Sequence, residues 1–258
     1  MRLFFSLLCG LFLLAAALRA DPEDAQLNPY DPLAGVHPPL AEALRSFGRD
    51  AGRWAYTQRF AQFDKEGKEK GWWVARFDPS QHYDVQWTLV EEDGKPVTER
   101  QQRKFRKERA KLAKDRRTLG ELLLVRQAAI AFQSNRELVY EVPLKLEDGS
   151  RFPPEKFQVF VTVDREKQVL KLIDVKLREN IRVAGVVNLK AGDARLEFSP
   201  VLPEHGPALT AISAGGTASL LFITVGARAE AVRTDFKRVT PYDERFQVKL
   251  GPLKAIDF

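Results

Sequence analysis

FQVFVTVDREKQVLKLIDVKL, Phe157 to Leu177, sets two runs rich in β-branched, aliphatic and aromatic residues around a charged joint. Phe157–Val163 and Val169–Leu177 have the length and composition of strands, and Asp164-Arg165-Glu166-Lys167 has the polarity of the turn between them. The same alternation of strand and joint continues downstream. Ile181–Leu189, Arg195–Phe198, Leu220–Gly226 and Ala229–Val239 read as strands, with Ala191-Gly192-Asp193 and Gly226-Ala227-Arg228 as joints. Such joints recur about every ten residues, and no interval is long enough for the helical crossover that parallel strands need. An antiparallel meander follows. Leu202–Gly216, with Pro203, Pro207, Gly215 and Gly216, reads as a long loop.

Upstream the pattern is similar but more aromatic. From Arg53 the period is two, with Trp54, Tyr56, Gln58 and Phe60 on one side and Ala55, Thr57 and Arg59 on the other. Trp72–Phe77 and Tyr83–Val90 read as the next strands, then Ala128–Phe132 and Leu138–Val142. Leu122–Val125 suits either a helix end or a buried strand. A sheet of some ten antiparallel strands cannot stay flat. Two helices accompany it. Pro38–Gly48 puts Leu40, Leu44 and Phe47 on one face, with Pro at its start and Gly48 as a stop. The second begins at Glu99, where Thr98 and Gln101 form a capping box. The predicted fold class is α+β and mainly antiparallel β: a strongly curved half-barrel sheet covered by a few helices.

Residues 1–20, MRLFFSLLCGLFLLAAALRA, have one early Arg2, an apolar run from Leu3 to Leu18 and small residues near the end. This is the anatomy of a cleavable signal peptide, ending at Ala17 or, as assigned here, Ala20. The apolar run is shorter than the roughly 20 residues of a spanning helix. Cys9 falls inside it, so the remainder has no cysteine, which points to a periplasmic or otherwise exported protein. Residues 21–37 read as an extended lead-in and 38–258 as a single curved-sheet domain. Within 240–258, Phe246, Val248 and Leu250 fit one more strand or a docking tail.

Without Arg2 and Arg19 the chain has 39 basic and 35 acidic residues, a net charge of +4. Residues 99–117 hold ten of the basic and three of the acidic ones, which leaves −3 elsewhere. Basicity is therefore local. The helix from Glu99 has only a thin apolar seam, Phe105 and Leu112, so most of its circumference is wet. Glu99–Arg103, Lys104–Glu108 and Lys111–Asp115 have the spacing of helical ion pairs. Export and the lack of interleaved aromatics argue against nucleic acid as a partner. Arg103, Lys104, Arg106 and Lys107 become candidate contacts to an anionic membrane surface or an acidic protein.

No catalytic constellation emerges. His37, His82 and His205 have no metal-pair spacing, and Ser213 and Ser219 miss the nucleophile-elbow pattern. Gly215-Gly216-Thr217 lacks the lysine of a phosphate loop, and Glu91/Glu92 and Asp243/Glu244 fit solvated turns. The expectation is a non-enzymatic protein without metal or cofactor. All four tryptophans lie between Trp54 and Trp87, so Trp54, Tyr56, Trp72, Trp73 and Trp87 are candidate ligand contacts on an incompletely filled concave face. Adjacent Trp72 and Trp73 must point to opposite sides of a strand.

The short helix, the strand through Tyr56-Thr57-Gln58, the run Gly71–Phe77 with Asp78-Pro79, Trp87-Thr88-Leu89, Lys190–Pro200 and Thr234-Asp235-Phe236 together resemble the LolA/LolB-type lipoprotein-sorting fold. The resemblance lies in layout across residues 38–240. It implies a half-open antiparallel barrel capped by helices and holding acyl chains, hence a carrier or sensor of a lipid or acylated ligand. The alternative is a periplasmic scaffold that docks an acidic partner or anionic membrane through residues 99–117.

Overall fold

The computed structural model describes residues 33–114, 119–145, 153–183, 187–220 and 223–246. The signal-peptide reading, most of the lead-in and the stretch from Gln247 lie outside the described residues. Helix α1 (Pro38–Asp50) is followed by β1 (Trp54–Asp64), β2 (Glu69–Phe77), β3 (Trp87–Glu92) and the two-residue β4 (Lys95–Pro96). Helices α2 (Glu99–Lys114) and α3 (Leu119–Leu122) come next. The chain then runs through β5 (Ala129–Gln133), β6 (Glu137–Glu141), β7 (Phe157–Asp164), β8 (Val169–Leu177), β9 (Ile181–Val183), β10 (Val187–Ser199), β11 (Ala208–Leu220) and β12 (Ile223–Arg238).

The twelve strands among the described residues form one antiparallel sheet, ordered β4-β3-β2-β1-β12-β11-β10-β8-β7-β6-β5, with β9 on β10. The sheet does not close, since β4 and β5 stand at opposite edges. It is the expected curved, open sheet with helices laid on it. β1 pairs with the last strand, β12, so the two sequence ends of the sheet meet at its middle.

The β7–β8 hairpin matches its expectation, and its turn shows why. Asp164 Oδ1 accepts the backbone N–H groups of Glu166 and Lys167, and Gln168 takes a positive φ of 51°. Alternation sends Val159, Val161 and Val163 of β7 inward with Ile173 and Val175 of β8, and a register shift between Thr162 and Val163 brings Leu170 to the same face. α1 lies across this face and buries Leu40, Ala43 and Phe47. Full burial of each large apolar side chain contributes about 1.5–3 kcal/mol. Tyr140 is fully buried, and His37 Nδ1 lies 2.8 Å from its hydroxyl. α1 runs through Gly48 and stops at Ala51, where Gly52 takes a φ of 91°.

Several expectations need correction. The long loop is only 200–207; Ala208–Leu220 is strand β11, paired along its length with β10 and from Ala211 onward with β12. Its small residues carry a weak local strand signal, but two ladders outweigh it. Gly192 and Gly226 are not at turns; they sit inside the long strands β10 and β12. At Gly226 a Cβ would come within 2.9 Å of the Lys65 Cβ, so glycine there permits a close approach of the β1–β2 turn. Ile181–Leu189 is the β9–β10 hairpin rather than one strand, with Ile181 opposite Leu189. Tyr83–Val85 forms a single 3-10 turn, and the strand starts only at Trp87. Leu122 ends α3, and Val125–Gln127 is another 3-10 turn.

Candidate functional site: an aromatic face under a basic helix

Period two in β1 places Trp54, Tyr56, Gln58 and Phe60 on the face that carries α1. Register extends that face sideways. Tyr56 opposes Phe77, Gln58 opposes Ala75 and Phe60 opposes Trp73, and Phe77 opposes Trp87 across β2 and β3. Rings meet along the whole line. Phe60 stacks on Trp73 at 5.0 Å, Phe77 and Trp87 lie 4.9 Å apart, and Tyr56 and Phe77 are 5.2 Å apart between centroids. Phe236 of β12 closes the far end against Trp54 and Tyr56, and His205 meets the Trp54 ring edge-on. Four of the five expected aromatics, Trp54, Tyr56, Trp73 and Trp87, therefore share one surface. Trp72 does not: it faces the other side of the sheet beneath the Arg59 guanidinium, 5.3 Å from its ring.

Helix α2 lies over the β2–β3 end of this surface. Its capping box is formed, with the Thr98 N–H donating to Gln101 Oε1 at 2.9 Å and the Gln101 N–H reaching Thr98 Oγ1 at 3.4 Å. Phe105 is buried against Ala75 and Leu89, with its ring 5.2 Å from Trp73. One turn on, the Arg109 guanidinium carbon sits 4.6 Å from the Trp73 ring, 4.9 Å from Phe105 and 5.0 Å from Trp87. A cation over three ring faces gains from the quadrupole of each.

Polar side chains tie the same helix to the free edge of β3. Gln102 Oε1 accepts the Leu89 N–H at 2.8 Å, while Gln102 Nε2 and Arg106 Nε donate to the Trp87 carbonyl at 3.3 and 3.2 Å. Gln101 Nε2 donates to Glu92 Oε2 at 2.8 Å. These groups replace the strand that β3 lacks beyond the two-residue β4. Arg106, expected to face outward with its neighbours, is thus turned to the sheet. Arg103, Lys104 and Lys107 are exposed, as expected. Neither Glu99–Arg103 nor Lys104–Glu108 closes into an ion pair, and Asp115 lies outside the described residues.

At the centre of the aromatic face sits a second arginine. Arg233 of β12 opposes Gln58, donates from Nε to Gln58 Oε1 at 3.1 Å and holds its guanidinium carbon 4.5 Å from the Tyr56 ring. Arg109, Arg233, Phe60, Phe77 and Phe236 were not singled out from sequence. Phe60 was readable from the period of β1, whereas the two arginines needed the packing of α2 and the pairing of β12.

A cleft of about 430 Å³ opens elsewhere, between the β1–β2 turn and the middle of β11 and β12, with Phe63, Asp64, Lys65, Gly215, Gly216 and Arg228 at its walls. It shares no residue with the aromatic face. Among the described residues no group of three or more His, Cys, Asp or Glu is arranged to hold a metal ion, and no helix is long and apolar enough to cross a membrane. The fold and site describe an open curved antiparallel sheet with an arginine-flanked aromatic face. No family model, curated protein or solved structure matches the chain.

Proposed function

We propose that this chain is an exported, non-catalytic carrier or sensor of an apolar ligand, a lipid or acylated molecule, in the manner of the LolA/LolB-type proteins it resembles. The observation that supports this reading is the continuous aromatic face Trp54–Tyr56–Phe77–Trp87–Trp73–Phe60, beneath a helix whose apolar contact with it is centred on Phe105. A helix so polar gains little from covering Trp73 and Trp87, compared with the stripe of an ordinary core-facing helix. The Gln101, Gln102 and Arg106 tethers lie along the β3 edge, so α2 is a flap held on one side. Lifting Phe105 and Arg109 exposes Trp73 and Trp87 to an acyl chain, and Arg109 and Arg233 then stand beside the chain's polar end. Ligand room is made by the flap, in a face lined by apolar rings with a few convergent polar groups.

Because every tryptophan of the chain lies in or beside this region, intrinsic fluorescence reads it directly. Native mass spectrometry of the purified protein is expected to show co-purified lipid or acylated species, and added fatty acid or phospholipid to shift tryptophan emission. Trp73→Ala is expected to weaken both signals. A wild-type protein that carries no apolar species and gives no fluorescence response to any acyl ligand overturns the proposal.

A further inference from the structure

The face of α2 that looks away from the sheet carries a charge pattern that the aromatic site does not use. At 100° per residue, the side chains that touch the body, Gln101, Gln102, Phe105, Arg106 and Arg109, span one side of the helix. Arg100, Arg103, Lys104, Lys107 and Lys111 all fall on the opposite side, within an arc of about 100° and a length of about 16 Å. Every one of the five is exposed, and none is ion-paired among the described residues. Like charges three and four residues apart repel along a helix, so this stripe weakens the helix it sits on and gains nothing from the body beneath. An isolated interfacial helix would need its own deep apolar face. α2 does not, because the sheet holds it in place through β3.

The 3-10 turn Tyr83–Val85 packs against α2 and leaves Tyr83 54 % and Val85 40 % exposed, with the Tyr83 hydroxyl donating to Asp243 and its ring against Tyr242. An aromatic ring and an aliphatic side chain next to a row of cations fit the boundary of a bilayer, where tyrosine sits among the headgroups. A dissolved acidic partner meets the cations alone. We propose that the outward face of α2, with Tyr83 and Val85 at its flank, docks this protein on an anionic lipid bilayer. This surface is independent of the acyl-ligand reading: it lies on the other side of the helix, and docking needs no ligand.

Co-sedimentation with phosphatidylcholine vesicles, with and without phosphatidylglycerol, tests the proposal. Binding is expected only to the anionic vesicles and is expected to fall as salt rises. Each cation near such a surface is worth roughly fivefold in partitioning, so Arg103→Gln/Lys104→Gln/Lys107→Gln is expected to lower binding about 100-fold with the circular-dichroism spectrum unchanged. Val85→Asp, outside the stripe, is expected to weaken binding further without touching a cation. The proposal is overturned if the triple variant binds like the wild type, if the wild type does not discriminate between the vesicles, or if soluble polyaspartate or duplex DNA competes at equal charge as well as the vesicles do. Loss of vesicle binding in the triple variant with lipid cargo retained supports docking through the stripe and leaves the carrier standing, whereas retained docking in a protein without cargo removes only the carrier.

Discussion

Gln102 on α2 completes the hydrogen bonding of Leu89 on β3: its Oε1 accepts the Leu89 N–H at 2.8 Å while its Nε2 reaches the Trp87 carbonyl at 3.3 Å. One side chain thus does for the sheet edge what a neighbouring strand would do for two backbone groups. Gln102→Ala is expected to cost about 1–2 kcal/mol, the range for leaving a partly buried polar group without its partner. It also bares an edge that can pair with another chain. Urea denaturation reads the first effect, and light scattering at raised protein concentration reads the second. An unchanged midpoint together with an unchanged monomer signal counts against the edge role.

Phe105 is 8 % exposed and is the main apolar anchor of α2 on the aromatic face. Phe105→Ala is expected to cost about 3 kcal/mol if α2 is tightly integrated with the fold, in line with buried phenylalanine truncations. The flap reading predicts instead that much of the effect is local. Hydrogen exchange in Glu99–Lys114 should rise by more than tenfold, Trp73 and Trp87 should emit further to the red, and the global midpoint should move less than the exchange does. Equal shifts in local exchange and global stability would show that the helix opens only when the whole sheet unfolds.

The sheet was legible wherever the side chains were bulky and the turns polar. Asp164 to Lys167 announced the β7–β8 hairpin because the Asp164 carboxylate caps its own turn. β11 was hidden because ALTAISAGGTASL has few bulky strand formers, and only its place between β10 and β12 makes it a strand. In the site, period two correctly separated Trp72 from Trp73 and joined Trp54, Tyr56 and Phe60. It could not place Arg106, because a helix that is basic nearly all round has no phase until Phe105 and Gln102 find their partners on β2 and β3. Arg233 was equally silent: nothing local to β12 reveals that Gln58, 175 positions away, sits opposite.

Asp50 at the end of α1 joins two distant segments, the end of β12 and the loop before β11. Its Oδ1 lies 2.9 Å from Arg238 Nη2, its Oδ2 accepts the Gly206 N–H at 2.8 Å, and His205 Nδ1 is 3.8 Å away. The Asp50 side chain is 9 % exposed and that of Arg238 31 %, so removing the carboxylate leaves a cation only partly rescued by water. Asp50→Asn is expected to cost about 2 kcal/mol, below the 3–5 kcal/mol of a fully buried broken pair. Gly206→Ala attacks the same junction sterically, because a Cβ there would lie 2.6 Å from the Ser46 carbonyl oxygen. A loss of about 1–3 kcal/mol is expected from that overpacking. Thermal melts of both single variants and the double variant check the junction. Fully additive losses would mean that the two sites are not coupled.

Acid should loosen the β1–β2–β3 end of the sheet. Burial pushes the Asp78 carboxyl up, but hydrogen bonds from the Ser80 hydroxyl and N–H and from Gln81, with the Arg245 charge nearby, outweigh it and hold the group below its usual range. Lys70 does the same to Asp64 at the other end of β1 and β2, chiefly by a side-chain hydrogen bond, with the Lys68 and Glu66 N–H groups assisting. A carboxyl whose folded pKa lies below its unfolded value adds stability that is complete above the unfolded pKa and fades as pH falls through the folded one. Denaturation midpoints are therefore expected to be level down to about pH 5 and to drop below about pH 4. Asp78→Asn should flatten part of that drop and lower the neutral-pH midpoint, because the amide cannot accept both Ser80 bonds with the strength of a charged oxygen. A variant with the same acid limb as the wild type would show that Asp78 is not one of the groups whose protonation destabilises the fold.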